Sequence, residues 1–309
     1  MDATPRIGIL IPVGPPDYAV IFDALEHARR ETAGPFEFRS GTIAGVPVVL
    51  NVAPTDGIVA RSLAAEEMLH HYNVRAFVYA GTSGGHLPPH DMRIGDIVLG
   101  AKHVDFSNFF MGKDGHIEAD EFAGFQPGLR HFAALYAQPR LLGDLACSAR
   151  RVATATTLPA WLNPGFPRVH PDIFYYGIQG TSTMWLADTA FIAKTMALFH
   201  EIDEDGDWYS AFVALLYRVP FIEVSVISDS IEEFPQTARG NPARPPGAGP
   251  AANVIAQRLS NRIVIDLIAH DGRDILRAGP GTATRDPFPA TAYATPKDPR
   301  SLLSLGGCR

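Results

Sequence analysis

The sequence predicts an α/β protein: a single domain, residues 1–278, with a mixed central β-sheet flanked by helices, followed by a flexible tail, residues 279–309. Three observations predict it. Apolar, β-branched runs recur along the chain, at Arg6–Val13, Ala76–Ala80, Phe174–Gly180 and Val219–Ile227, and read as buried strands. Segments with apolar residues at helical spacing stand between them. Several runs end in small or hydroxyl-bearing residues, and open α/β sheets carry their ligand chemistry outside the carboxyl ends of strands.

Composition narrows the function classes. A chain of 309 residues, 46% hydrophobic and 19% charged, has ample material for one large core. The net charge of -7 excludes a nucleic-acid binder, which needs a basic face. No apolar run reaches the length of a membrane span. Met1–Arg6 shows no signal-peptide pattern, so a cytoplasmic protein is expected. Two cysteines, Cys147 and Cys308, make no disulfide framework and point to a reducing compartment.

The first run, Arg6–Val13, ends in the tight loop Gly14-Pro15-Pro16-Asp17-Tyr18. Ile21, Leu25 and Ala28 then share one face, which predicts a helix over Ala19–Arg30. Phe36–Ser40 and Val48–Val52 read as hairpin strands around Ala44-Gly45, and a helix is expected over Ile58–Tyr72. Ala76–Ala80 runs into Gly81-Thr82-Ser83-Gly84-Gly85. Small residues there let backbone N–H groups approach a polar ligand, and an ordinary glycine turn has the same wording. His86 to Asp91 holds two histidines but also Pro88-Pro89; the spacing fits no metal signature and reads as a surface loop, so no metal is expected.

Ser107–Gln126 reads as a loop or lid, and Leu129–Val152 as helical with Pro139 between two segments. Phe174–Gly180 leads into Thr181–Trp185 and a helix near Ala187–Met196. An acidic cluster, Glu201 to Asp207, precedes an apolar helix, Trp208–Tyr217. The strand Val219–Ile227 ends in Ser228-Asp229, a pair that also serves as a helix cap elsewhere. Pro235–Ala252 is too rich in proline and glycine for regular structure and reads as a lid, and Asn253–His270 as the last helix.

An acidic cluster, an apolar helix, "VPF", a strand and "SD", in that order, resemble the nucleoside phosphorylase and nucleosidase superfamily. The likeness is nearest to the methylthioadenosine/S-adenosylhomocysteine nucleosidases and the related plant storage proteins. Gly81–Gly85 matches the family's "GTAGG" turn, carrying Thr82 and Gly84, and Ile94–Leu99 matches its "iGDivi" strand. The resemblance covers roughly residues 6–270. It implies hydrolysis of the N-glycosidic bond of a purine nucleoside or nucleoside thioether, with adenine as the base, with no cofactor and as a homo-oligomer.

The resemblance also implies roles. Asp229 would protonate the leaving purine, with Ser228 orienting it. Asp203, Glu204 and Asp205 supply the carboxylate that grips the ribose. A register that keeps this acidic triplet in line makes Asp205 the ligand, whereas an ungapped one puts Gly206 there. Thr82, Gly84 and Gly180 fall in the substrate-binding turns, and Trp185 at the aromatic position that stacks on the base; Thr183 replaces the family's acid two residues earlier. The phosphate-binding arginines of phosphorylases are Tyr18 and Tyr79 here, which favours water as the nucleophile. Asp17 is the one carboxylate of the first loop that could activate it. A weakly catalytic binding or storage protein, and a phosphorylase, are the alternative readings.

Overall fold

The computed structural model describes residues 2–12, 18–52, 57–119, 134–184, 188–230, 247–277, 279, 281–303 and 308. Its strands are β1 (Asp2–Leu10), β2 (Glu26–Ala33), β3 (Phe36–Ile43), β4 (Val46–Val52), β5 (Tyr72–Gly85), β6 (Ile97–Asp105), the short β7 (Phe109–Met111), β8 (Ile117–Ala119) and β9 (Ala134–Tyr136), β10 (Ile173–Thr181) and β11 (Phe221–Ser230). The helices are α1 (Ala19–Asp23), α2 (Ile58–His71), α3 (Pro139–Ala155), α4 (Thr189–Phe199), α5 (Trp208–Leu216), α6 (Ala248–Ile275), α7 (Ala290–Ala294) and α8 (Arg300–Leu303).

Nine strands form one mixed sheet in the order β10-β6-β11-β5-β1-β4-β3-β2, with β9 paired to β6. β1 is parallel to β4 and β5, and β11 is parallel to β5. β6 runs antiparallel to β11 through Ile97–Leu99 and antiparallel to β9 through Lys102–Val104. One strand thus serves two neighbours on the same side.

The apolar runs are continuous because both faces are covered. Ile7, Ile9, Val78, Val224 and Val226 pack with Leu141 and Leu145 of α3 and Ile263 and Leu267 of α6. The alternate residues Leu10, Val49, Phe77 and Phe221 pack with Ala64 and Met68 of α2 and Ala211 and Ala214 of α5. Period-2 alternation between two apolar layers is what a buried parallel strand demands. Each fully buried aliphatic side chain contributes about 1.5–3 kcal/mol.

Three expectations are corrected. The helix foreseen over Ala19–Arg30 ends at Asp23, and Glu26–Ala33 forms β2 instead. Ala28 does not join the core; β2 is an edge strand, exposed until Ala33 and dense in charge, as edge strands are when they must resist further pairing. Within the helix foreseen over Leu129–Val152, residues 134–136 are strand, and Pro139 opens α3 rather than interrupting a helix. Within the stretch expected to be a tail, some of the described residues are packed. Phe288 and Ala292 join the main core, Leu302 is buried, and Lys297 Nζ bonds Asp172 Oδ2 at 2.8 Å. Its apolar anchors are spaced too widely to show as periodicity. Finally, Cys147 of α3 and Cys308 form a disulfide, with Cα atoms 5.3 Å apart. That pairing removes the cysteine argument for a reducing compartment.

Candidate active site

The sheet's carboxyl edge is completed by the acidic segment between α4 and α5. Backbone bonds weave it between two strand ends. Ile202 N–H donates to Ile178 O (3.0 Å), Gly180 N–H to Asp203 O (3.1 Å), and Gly206 N–H to Gly180 O (2.9 Å) on the β10 side. His86 N–H donates to Ile202 O (2.9 Å) and Glu204 N–H to Gly84 O (3.0 Å) on the β5 side. The acidic segment is thereby fixed between β10 and β5, although β5 lies more than a hundred residues before it.

Ser228 and Asp229 stand at the end of β11, both partly exposed. Ser228 Oγ donates to Asp229 Oδ1 at 2.7 Å and lies 3.4 Å from Ser83 O, so the hydroxyl ties the carboxylate to β5. Gly84 is the meeting point. A Cβ there would stand 2.8 Å from Glu204 Oε1 and 3.3 Å from Asp229 Oδ2. Two carboxyl groups therefore converge on one glycine, which is glycine because a side chain would displace them. Thr82, two residues earlier in β5, is half-buried.

The three candidate ribose acids separate. Asp203 is wholly buried; burial drives its carboxyl well above the usual carboxylate range, with Glu223 adding to the effect and His86 opposing it. Glu204 is the acid whose carboxylate reaches Gly84. Burial raises its pKa, His86 lowers it, and Asp229 raises it again. Asp205, the preferred ribose ligand on sequence, turns the chain with φ 70°, and its carbonyl accepts from Tyr79 Oη at 3.4 Å. The strand-like pairing of Asp203 with Gly85 and Gln179 sets this register, which alignment by acids alone could not find. At Gly180 a Cβ would meet Asp203 O at 2.6 Å and Phe106 at 2.7 Å, so the absence of a side chain lets the acidic segment pack against β10. Asp17 and Trp185 lie outside the described residues.

Three buried clusters of acidic side chains with an imidazole or a guanidinium support this edge, and sequence reading found none of them. His86, read as part of a surface loop, is buried with Nδ1 3.7 Å from Glu201 Oε1 and Nε2 3.8 Å from Glu204 Oε2. Burial lowers its pKa, but the two glutamates more than offset that, and the imidazole is pushed up to about 9. Its position directly after the Gly84-Gly85 strand end was the available signal. Arg61 of α2 pairs with Asp207 Oδ2 at 3.4 Å, while Asp207 Oδ1 caps α5 by accepting from Ser210 N–H at 3.1 Å. His103 Nδ1 lies 3.1 Å from Glu223 Oε2, which also accepts from Asp207 N–H. Tyr18 and Tyr79, at the positions of the phosphorylase arginines, are both buried.

A family model of the phosphorylase superfamily matches residues 6–160, and the chain belongs to that superfamily. A 5'-methylthioadenosine/S-adenosylhomocysteine nucleosidase of Shewanella piezotolerans is 28% identical over 142 residues, 45% of this chain and 60% of the relative's length. Among solved structures, the nucleosidase of Neisseria meningitidis, in complex with methylthio-immucillin-A, is similar with a TM-score of 0.61 and 16% identity. The likeness covers 85% of this chain and 99% of that one. The Colwellia psychrerythraea nucleosidase, in complex with adenine, gives 0.61 and 18%, over 87% and 96%. These structural likenesses confirm the mixed α/β fold.

Proposed function

We propose that the protein hydrolyses the N-glycosidic bond of a purine nucleoside, an adenine nucleoside or its 5′-thioether, and releases the free base. The observation that carries this reading is the convergence of Asp229 and Glu204 on Gly84 at the sheet's carboxyl edge. The curated relative's name and the adenine-type ligands in the solved relatives support the substrate class.

The roles follow from what the bond needs. As the ribose–base bond stretches, positive charge grows on the sugar and negative charge on the purine. Glu204 is assigned to the ribose hydroxyls, where its charge also favours the oxocarbenium-like transition state. This replaces Asp205 in that role. Asp229, oriented by Ser228, is assigned as the general acid at the purine. Thr82 is assigned to the sugar side, Trp185 to stacking on the base, and Asp17 to activation of the water. Tyr18 and Tyr79 supply no cation for a phosphate dianion, which supports water rather than phosphate as nucleophile.

The experiment is incubation with adenosine, methylthioadenosine and inosine, with and without phosphate, followed by analysis of base and sugar. Free adenine and free sugar without phosphate are expected. A sugar 1-phosphate formed only with phosphate would overturn the reading, as would no release of base from any nucleoside.

We also assign the protein to the cytoplasm as a homo-oligomer. Val59 and Leu63 of α2 and Leu216 of α5 are large apolar residues left exposed, which supports a second copy covering them. Light scattering that gives the monomer mass would count against the oligomer, and recovery of the protein outside the cytoplasmic fraction of its native cells would count against the cytoplasm.

A further inference from the structure

Among the buried charged groups, His86 has no part in the mechanism above. Its ring is fully enclosed, where a cation persists only if paired. We propose that His86 is a positioning residue for the nucleoside: a buried imidazolium between Glu201 and Glu204 that engages Oε2 of Glu204 and leaves Oε1 turned to Gly84 to accept from a ribose hydroxyl. The proposal rests on the nucleosidase reading and adds a residue to it.

The two oxygens of Glu204 are divided. Oε2 lies 3.8 Å from His86 Nε2, while Oε1 is the oxygen beside Gly84. The far side of the imidazole is anchored as well. Glu201 Oε1, 3.7 Å from Nδ1, accepts from Thr195 Oγ1 of α4 at 2.6 Å, and Phe106 stands edge-on with centroids 5.7 Å apart. With its backbone N–H bonded to Ile202 O, the ring is held on three sides. A carboxylate held at one oxygen presents the other in a fixed direction, which is what recognition of a hydroxyl requires.

Charge gives the arrangement a second effect. The titratable groups facing His86 are Glu201, Glu204 and Asp203, and Asp229 faces Glu204 from the other side. Two neighbouring carboxyl groups resist double ionisation. A cation against Glu204 opposes that resistance and favours the charged form of Glu204, the form that accepts from a ribose hydroxyl.

The test uses the intact protein and a non-cleavable C-nucleoside analogue of adenosine, with 9-methyladenine as the ligand that lacks ribose. Binding of the analogue should hold from pH 6.5 to 8 and weaken as pH rises through about 9, where His86 loses its proton. Binding of 9-methyladenine should not follow. His86→Gln should weaken the analogue by roughly 10–100-fold, the worth of a hydrogen bond to a charged group, and remove the alkaline loss. It should leave 9-methyladenine within about twofold. Added to Glu204→Gln, it should cost little more, because the two act as one unit. Unchanged analogue affinity in His86→Gln, full additivity, or a flat alkaline profile in the parent would overturn the proposal. Should His86→Gln not fold, ¹⁵N-histidine NMR of the parent decides. An imidazolium that persists to about pH 9 supports the proposal, and a ring already neutral at pH 7 overturns it. A parent that binds no analogue at any pH overturns the nucleosidase reading together with this one; binding that ignores His86 overturns this one alone.

Discussion

Asp229 is tied to a hydroxyl of its own strand. Ser228 Oγ fixes Oδ1, and Oδ2 is the oxygen that faces Gly84. Replacement by Asn keeps the shape and a hydrogen bond to the base but removes the acidic proton. Asp229→Asn should therefore lower kcat by about 10²–10⁴-fold while nucleoside binding is largely kept. Steady-state rates on a purine nucleoside check this, and a kcat within a few-fold of the parent would make Asp229 a structural cap. At this scale the sequence was half legible. Ser228-Asp229 could be read because strand and pair are contiguous. His86 could not, because its partners Glu201 and Glu204 lie more than a hundred residues away and only the sheet brings them together. Which of Asp203, Glu204 and Asp205 reaches Gly84 is likewise set by backbone pairing with Gly85 and Gln179, which the acids' own order does not encode.

At the scale of elements, α2 and α5 lie on one face of the sheet and are joined by Arg61 and Asp207, both buried. Asp207 serves twice, pairing with Arg61 and capping α5, so the helix start is fixed to the acidic segment just before it. Arg61→Met fills much of the same volume but leaves the carboxylate without its cation. Breaking a buried pair on one side typically costs about 3–5 kcal/mol. Urea unfolding should show a loss of that order. A loss below about 0.5 kcal/mol, the range of ordinary surface changes, would show that the pair is idle. The elements themselves were legible where burial is two-sided, as in β1, β5, β10 and β11. They were misread where it is not. β2 is solvent-facing along nearly its whole length, so no alternation marks it, and three apolar residues at helical spacing suggested the wrong element.

For the whole molecule, the Cys147–Cys308 bridge fastens the C-terminal arm to α3 across a separation of 161 residues. A bridge over so long a loop restricts the unfolded chain strongly, by about 2–4 kcal/mol in typical cases. Cys308→Ser should lower stability by that amount in denaturant titration, and the parent should lose the same amount on reduction. Equal midpoints for parent and variant under oxidising conditions would show that the bridge contributes nothing. The arm's composition, rich in proline, threonine and alanine, hid this role, since Phe288 and Leu302 hold it by burial at isolated points.

The bridge also changes the chain's topology from a line to a closed loop with one free arm. Glu201, Glu204 and Asp229 all lie inside the loop, whereas Gly84 and His86 lie on the arm before it. A protease that cuts once between the two cysteines opens the loop without dividing the molecule. Both fragments stay covalently joined and keep every acid of the site, so a nicked sample migrates as one chain until a reductant separates it.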